Sequence, residues 1–149
     1  MLDGDRGHLV ARRANYKKDN LEAPEIIYNP DLKEYYLFVS YDPLMTTYNV
    51  RVGRSDKAEG PFIDYFGKEL KDTTNNFPIL TAPYRFKSHP GWAGTAHCAV
   101  FTSDDGQYFM AHQGRLSPQN QMMDLHVRQV FFTKDGWPVV SPERYAGSN

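Results

Sequence analysis

Cysteine is almost absent: the 149-residue chain holds one, Cys98. No internal disulfide can form, so the fold must be held by packing alone. Within Thr95-Ala96-His97-Cys98-Ala99-Val100-Phe101, Cys98 reads as a small buried hydrophobe. An excess of charge is also missing. Seventeen Lys and Arg face eighteen Asp and Glu, for a net charge of −1 and a pI near 6.5. That balance removes the electrostatic ground for a nucleic-acid or anionic-membrane partner. No apolar run approaches the ~20 residues of a membrane-spanning helix. Met1 to Gly7 has no apolar core and does not read as a signal peptide. A sustained helical period is lacking as well.

What the chain does have is strand material. It is 40% hydrophobic and 14% aromatic, enough for a packed core and against disorder. Leu9-Val10-Ala11 reads as a short strand and Glu25-Ile26-Ile27-Tyr28 as the next. Asn29-Pro30-Asp31 supplies turn chemistry, and Tyr35 to Ser40 returns. Thr47 to Gly53 follows, after the loop from Tyr41 to Thr46. Ala58-Glu59-Gly60-Pro61 then turns into Phe62-Ile63-Asp64-Tyr65. A second set opens at Ala96–Phe101 and passes the hairpin signal Ser103-Asp104-Asp105-Gly106. It continues through Tyr108–His112 and Asp124–Phe132, then turns at Lys134-Asp135-Gly136-Trp137-Pro138 into Val139-Val140.

The two sets share an order: strand, turn, aromatic-rich strand, loop, long strand, turn, short strand. Such self-similarity marks a repeat architecture, and four short antiparallel strands are the content of one propeller blade. The chain is therefore expected to be all-β, a partial β-propeller of four-stranded antiparallel blades. The expected layout over 1–149 is a first full blade with a preceding edge strand over 9–66. A linking segment follows over 67–93, with one short strand at Pro78-Ile79-Leu80, and a second blade set over 94–149.

Particular runs sharpen this reading. They are Glu22-Ala23-Pro24, Tyr35-Tyr36-Leu37-Phe38-Val39-Ser40, Val52-Gly53-Arg54-Ser55 and Gly60-Pro61-Phe62-Ile63-Asp64. Gly94-Thr95-Ala96-His97 and Asp135-Gly136-Trp137-Pro138-Val139-Val140 follow. In this order and spacing, from about Val10 to Gly147, the chain resembles the C-terminal half of the five-bladed propellers of glycoside hydrolase family 43, the arabinan-degrading members in particular. The resemblance implies inverting hydrolysis of α-1,5-linked arabinan with Glu22 as general acid. It also implies an axial calcium reached by His97, its other ligands largely water, and a secreted or periplasmic setting. The chain departs from the family in two ways. The family's base and pKa-tuning Asp residues stand on blades preceding the Glu-Ala-Pro strand, and neither Asp3 nor Asp5 has a matching context. The family's usual Gly-Pro-Gly-His is here Gly94-Thr95-Ala96-His97.

Read from the residues alone, Glu22 is a solvated carboxylate ahead of a strand, and Glu25 is structural. His97 alone is a hydrogen-bonded core residue; His112 and His126 have no paired ligand and read as structural. Sugar pockets stack ring faces on aromatics and fix hydroxyls with a few polar groups. Tyr41 and Asp42 after one strand, and Trp92 before another, are expected on loops lining such a cleft; ordinary loop packing is the alternative. Arg51 either contacts substrate or pairs with a blade carboxylate. Trp137 reads as a packing residue. Two rival functions stand beside the arabinanase reading: an arabinofuranosidase or xylosidase of the same family, and a non-catalytic carbohydrate-binding fragment. Two blades leave two apolar faces open, which implies either a homo-oligomer or a missing N-terminal half, with arabinan or arabino-oligosaccharide as ligand.

Overall fold

The computed structural model describes residues 4, 6–14, 19–72, 77–119 and 121–147. Asp3 and Asp5 lie outside these. Ten strands form: β1 Leu21–Asn29, β2 Glu34–Tyr41, β3 Asn49–Ser55, β4 Ile79–Thr81, β5 Tyr84–Phe86, β6 His89–Ala93, β7 Ala99–Thr102, β8 Tyr108–Leu116, β9 Met123–Phe132 and β10 Pro138–Val140. No helix is present among the described residues. One sheet runs β1-β2-β3-β4; the other runs β10-β9-β8-β6-β5, with β7 also paired to β8. Every pairing is antiparallel. β1–β4 and β7–β10 are thus two four-stranded blades, as the all-β propeller reading requires.

Local chemistry sets the turns. The Asn29 side chain accepts from the N–H groups of Asp31 (3.1 Å) and Leu32 (3.2 Å), closing the β1–β2 hairpin. Strand β1 alternates half-buried and exposed residues from Glu25 to Tyr28, Glu25 and Ile27 facing the second blade, beyond an irregularity in its first residues.

The blades meet through a shared core. Tyr36, Phe38, Tyr48, Val50 and Val52 of the first blade pack with Ala96, Cys98, Val100, Met110 and Val130 of the second. Tyr36, Phe38, Tyr48 and Met110 are fully buried. Each large side chain so buried contributes about 1.5–3 kcal/mol of transfer free energy. At the outer rim the Tyr36 hydroxyl donates to the Gly136 carbonyl at 2.5 Å. The Arg54 guanidinium lies 4.4 Å over the Trp137 ring, in the packing role expected of that residue.

Three boundaries differ from the sequence reading. Val10 and Ala11 form no strand; they pack on the far face of the first blade with Leu37, Val39, Tyr41, Phe62, Leu70 and Phe77. Phe62–Tyr65 is no strand either, since only Ile63 bridges Arg54 and Glu69. The fourth strand of the first blade is β4, drawn from the stretch expected to be a linker. That same stretch also supplies the β5–β6 hairpin. The far face of the first blade is therefore partly covered by its own chain, rather than left open. Ile26 and Tyr28 on β1 remain exposed there. On the second blade Phe101, Leu125, Phe131 and Val139 are exposed. The register places them on one face, away from the shared core.

Candidate active site at the blade seam

The first residues of β1, the last of β2 and the entry to β7 meet at one rim of the seam. Glu22 pairs with Ser40, and Glu25 with Phe38, so one extra residue enters β1 between them. Ala23 takes up this bulge with φ 50°, in the left-handed region that L residues avoid. Pro24 has no N–H to give the ladder, so a bulge is the place in a strand that suits it. The result is that Glu22 and Glu25 both lie on the side facing the second blade. Without the bulge, Pro24 would stand where Glu25 does.

Glu22 is exposed, and its Oε1 accepts a hydrogen bond from the Tyr48 hydroxyl at 2.7 Å. Tyr48 itself is fully buried. Its phenol pKa is raised, chiefly by burial and then by the bond to Glu22. Across the seam His97 is exposed with φ 57°, and its N–H donates to the Ser40 hydroxyl at 2.9 Å. Beside this rim opens a cavity of about 560 Å³, lined among others by Ala23, Glu25, His97, His112, Gln113 and Leu125. Glu22 directly precedes the lining residue Ala23 in β1 and does not itself line the cavity.

Tyr41, Asp42 and Arg51 come together, but around one another. Tyr41 ends β2 rather than opening a loop, and it is fully buried. The Arg51 guanidinium lies 4.5 Å over its ring and that of Arg13 5.2 Å. Asp42 accepts from Arg13 (2.9 Å), Asn49 (2.7 Å) and Arg51 (3.1 Å). Burial works against its charge, but the hydrogen bonds from Asn49 and Arg13 and the two cations hold its carboxyl below the usual range. Of the two readings for Arg51, pairing with a blade carboxylate is the one observed. Trp92 is likewise placed in β6, not a loop, and is 5% exposed. One contact is His126, edge-on at 4.4 Å; another is the Arg144 guanidinium, 4.8 Å over the ring. Neither Tyr41 nor Trp92 offers a free ring face to a sugar.

His112 and His126 pair across β8 and β9, with ring centres 5.3 Å apart and both rings buried. Burial lowers each pKa to about 4. Among the described residues no group of three or more His, Cys, Asp or Glu side chains gathers to hold a metal. Calcium takes six to eight oxygen ligands, so one exposed imidazole does not make a calcium cage. Ser40, Tyr48 and Gln113, which the sequence did not single out, also stand here, and Glu25, read there as structural, lines the cavity. Only the antiparallel register of β1 against β2, which sets Ser40 opposite Glu22, held a signal for the first of these.

Two adjacent four-stranded antiparallel blades with an exposed carboxylate near a rim cavity place the chain in the propeller class. The sequence model for glycosyl hydrolases family 43 matches residues 3–138, and the chain belongs to that family. It is 32% identical over 147 residues to an extracellular endo-α-(1→5)-L-arabinanase 2 of Bacillus subtilis, covering 85% of this chain and 31% of that protein. It is 28% identical over 124 residues to an extracellular exo-α-(1→5)-L-arabinofuranosidase of Cellvibrio japonicus, covering 80% and 33%. Among solved structures, the endo-1,5-α-L-arabinanase of Thermotoga petrophila in complex with TRIS superposes with a TM-score of 0.87 at 27% identity. That match covers 99% of this chain and 35% of the other. The chain thus spans about a third of the length of the relatives it matches.

Proposed function

We propose that this chain is the acid-bearing part of a propeller that hydrolyses α-1,5-linked arabinan with inversion. The observation that carries the reading is Glu22. It is held exposed on a bulged innermost strand, beside the rim cavity, in a chain similar over most of its length to arabinan-degrading enzymes. Inversion needs a protonated carboxyl at the leaving oxygen and a second carboxylate that activates water on the opposite face, about 6.5–9.5 Å away. Glu22 fills the first role. The second is proposed to come from a blade outside these two, supplied by the rest of the propeller. Endo cleavage is favoured over exo by the higher identity to the Bacillus protein. The extracellular relatives support an exported protein. A hydrated cation resting on His97 alone is kept as a separate proposal, and no step depends on it. Chelator should shift the melting temperature of the wild-type chain and not that of His97→Ala; identical responses exclude it.

The test is a chimera in which the preceding blades of the Thermotoga petrophila arabinanase are joined ahead of this chain. It should release reducing ends from linear arabinan, while the chain alone binds arabino-oligosaccharides with little or no turnover. Glu22→Gln should lower chimera turnover by about 10²–10⁴-fold, the usual worth of general acid catalysis, and leave binding in place. Undiminished turnover in the Gln variant refutes the acid role. Turnover of xylo-oligosaccharides but not arabinan would favour the sister activity, and an inert chimera that still binds would favour the non-catalytic reading.

A further inference from the structure

We propose that Tyr48, backed by Ser40, is the positioning residue for Glu22, fixing which carboxyl oxygen delivers the proton. The inference rests on the acid reading of Glu22 and goes on to how that acid is set. Three observations carry it. Among the described residues Glu22 has no ion pair, and the Tyr48 hydroxyl at 2.7 Å is its one hydrogen-bond partner. Tyr48 is fully buried in the core shared by the two blades, so the donor cannot swing away with the surface. The Ser40 hydroxyl accepts from the His97 N–H at 2.9 Å, and it opposes the rise in the Tyr48 phenol pKa. Tyr48 thus holds Oε1 of Glu22 from the buried side, and Ser40, tied to the entry of β7, bears on the Tyr48 phenol.

The chemistry follows from counting protons. A phenol has one proton to give, and here it goes to Oε1. The acid's own proton must then sit on Oε2, the oxygen without a buried donor. When Oε2 passes that proton to a leaving oxygen, the resulting carboxylate already holds a hydrogen bond at Oε1. A bond donated to an ionised acceptor is about twice as strong as one to a neutral group, so the relay favours the product side of proton transfer. Burial keeps the phenol protonated well beyond neutrality, so Tyr48 acts as a fixed donor and takes no proton itself.

Coupling of this kind is reciprocal, so it can be read from Tyr48 on the chain as it stands, without turnover. Tyrosine ring-carbon NMR should show Tyr48 still protonated at a pH where a free tyrosine has ionised. In Glu22→Gln, which keeps an acceptor but removes the charge, the Tyr48 midpoint should fall by about one unit or more. Glu25→Gln, on the same strand face, should move it less. A second readout covers the case of unfolding at high pH. At neutral pH the Tyr48 hydroxyl proton should exchange slowly in the wild type and fast in Glu22→Ala. A Tyr48 midpoint unmoved by Glu22→Gln, or hydroxyl exchange unmoved by Glu22→Ala, overturns the relay. Neither result bears on whether Glu22 is the acid, which the chimera decides separately.

Discussion

Acidifying this protein should unfold it through two histidines before its carboxylates are reached. His112 and His126 are 1% and 0% exposed, and burial holds both pKa values near 4 against an unfolded value of 6.5. Arg128 adds to the lowering at both rings, and Arg144 at His126; Asp124 and Glu143 oppose it at His126. The unfolded chain therefore binds these protons first as pH falls. Stability is intact above 6.5, declines between 6.5 and about 4, and has lost the whole contribution below that. At 1.36 kcal/mol per pKa unit, each histidine costs about 2.5 kcal/mol at pH 4.5, and the pair about 5. A small domain has about 5–15 kcal/mol in total, so the loss is large. With about 2–4 °C per kcal/mol at this size, the melting temperature should drop by about 10–20 °C from pH 7 to 4.5.

Circular-dichroism melts at half-unit pH steps measure this directly. Fluorescence gives a second view, because Trp92 lies edge-on to His126 and should be quenched as that ring charges. The lowered Asp42 carboxyl contributes only at the acid end, in the usual carboxylate range and below, so the window from 6.5 to 4.5 belongs to the histidines. Replacing both by Leu changes the absolute melting temperature but should flatten its pH slope. A wild-type melting temperature constant from pH 7 to 4.5, or an unchanged slope in the double variant, refutes the reasoning.

Other substitutions test the site and its support. Ala23→Gly should be tolerated or stabilising by about 1 kcal/mol, because it relieves a left-handed residue; Ala23→Val should destabilise by more than that, both read by urea unfolding. Gly114→Ala should cost about 1–3 kcal/mol, since a Cβ there would stand 2.5 Å from His126 Nε2, and the same melts report it. Cys98 is 6% exposed and burial pushes its thiol up to about 12, so it should resist a thiol reagent in the native protein and react at once in denaturant.

Much of the sheet was legible because its strands are rich in aromatic and β-branched residues and punctuated by clear turns. Tyr35 to Ser40 is such a run, and the turns at Asn29–Asp31 and Ser103–Gly106 fall where their side chains predict. The errors have physical causes. Phe62-Ile63-Asp64-Tyr65 looks like a strand, but Phe62 is spent capping Gly53 on the far face of the first blade, leaving one bridge. His89-Pro90-Gly91-Trp92-Ala93 looks like a linker because Pro and Gly weaken strand signals. It pairs nonetheless, with Gly91 at φ 89° where a Cβ would meet the Tyr84 carbonyl. Glu22 and His97 stood out only by resemblance. Tyr48 could not, since its hydrogen bond to Glu22 depends on how the residue before β3 is buried beneath the β1 bulge; for Ser40 only the β1–β2 register held a signal. Tyr41 and Trp92 were misplaced because a buried aromatic beside an Arg reads, in sequence, just like one that waits for a sugar.

Of the five non-glycine residues with left-handed backbone among the described residues, three, Ala23, Asp42 and His97, stand at the β1 bulge or beside strand ends on the first blade and its seam with the second. Such conformations cost about 1–3 kcal/mol each and persist where the surroundings over-determine them. Each here has a local restraint. Ala23 sits between a ladder pair at Glu22 and a proline; Asp42 is held by Arg13, Asn49 and Arg51; His97 is held through its N–H by Ser40. These restraints lie within residues 13–97, and the core beneath them joins the same two blades. Glu22 and its neighbours are therefore positioned by contacts within this chain. If the proposed function holds, the preceding blades of a chimera supply a second carboxylate and need not move Glu22. That separation is why a chimera is a fair test: it adds blades without rebuilding what is already set.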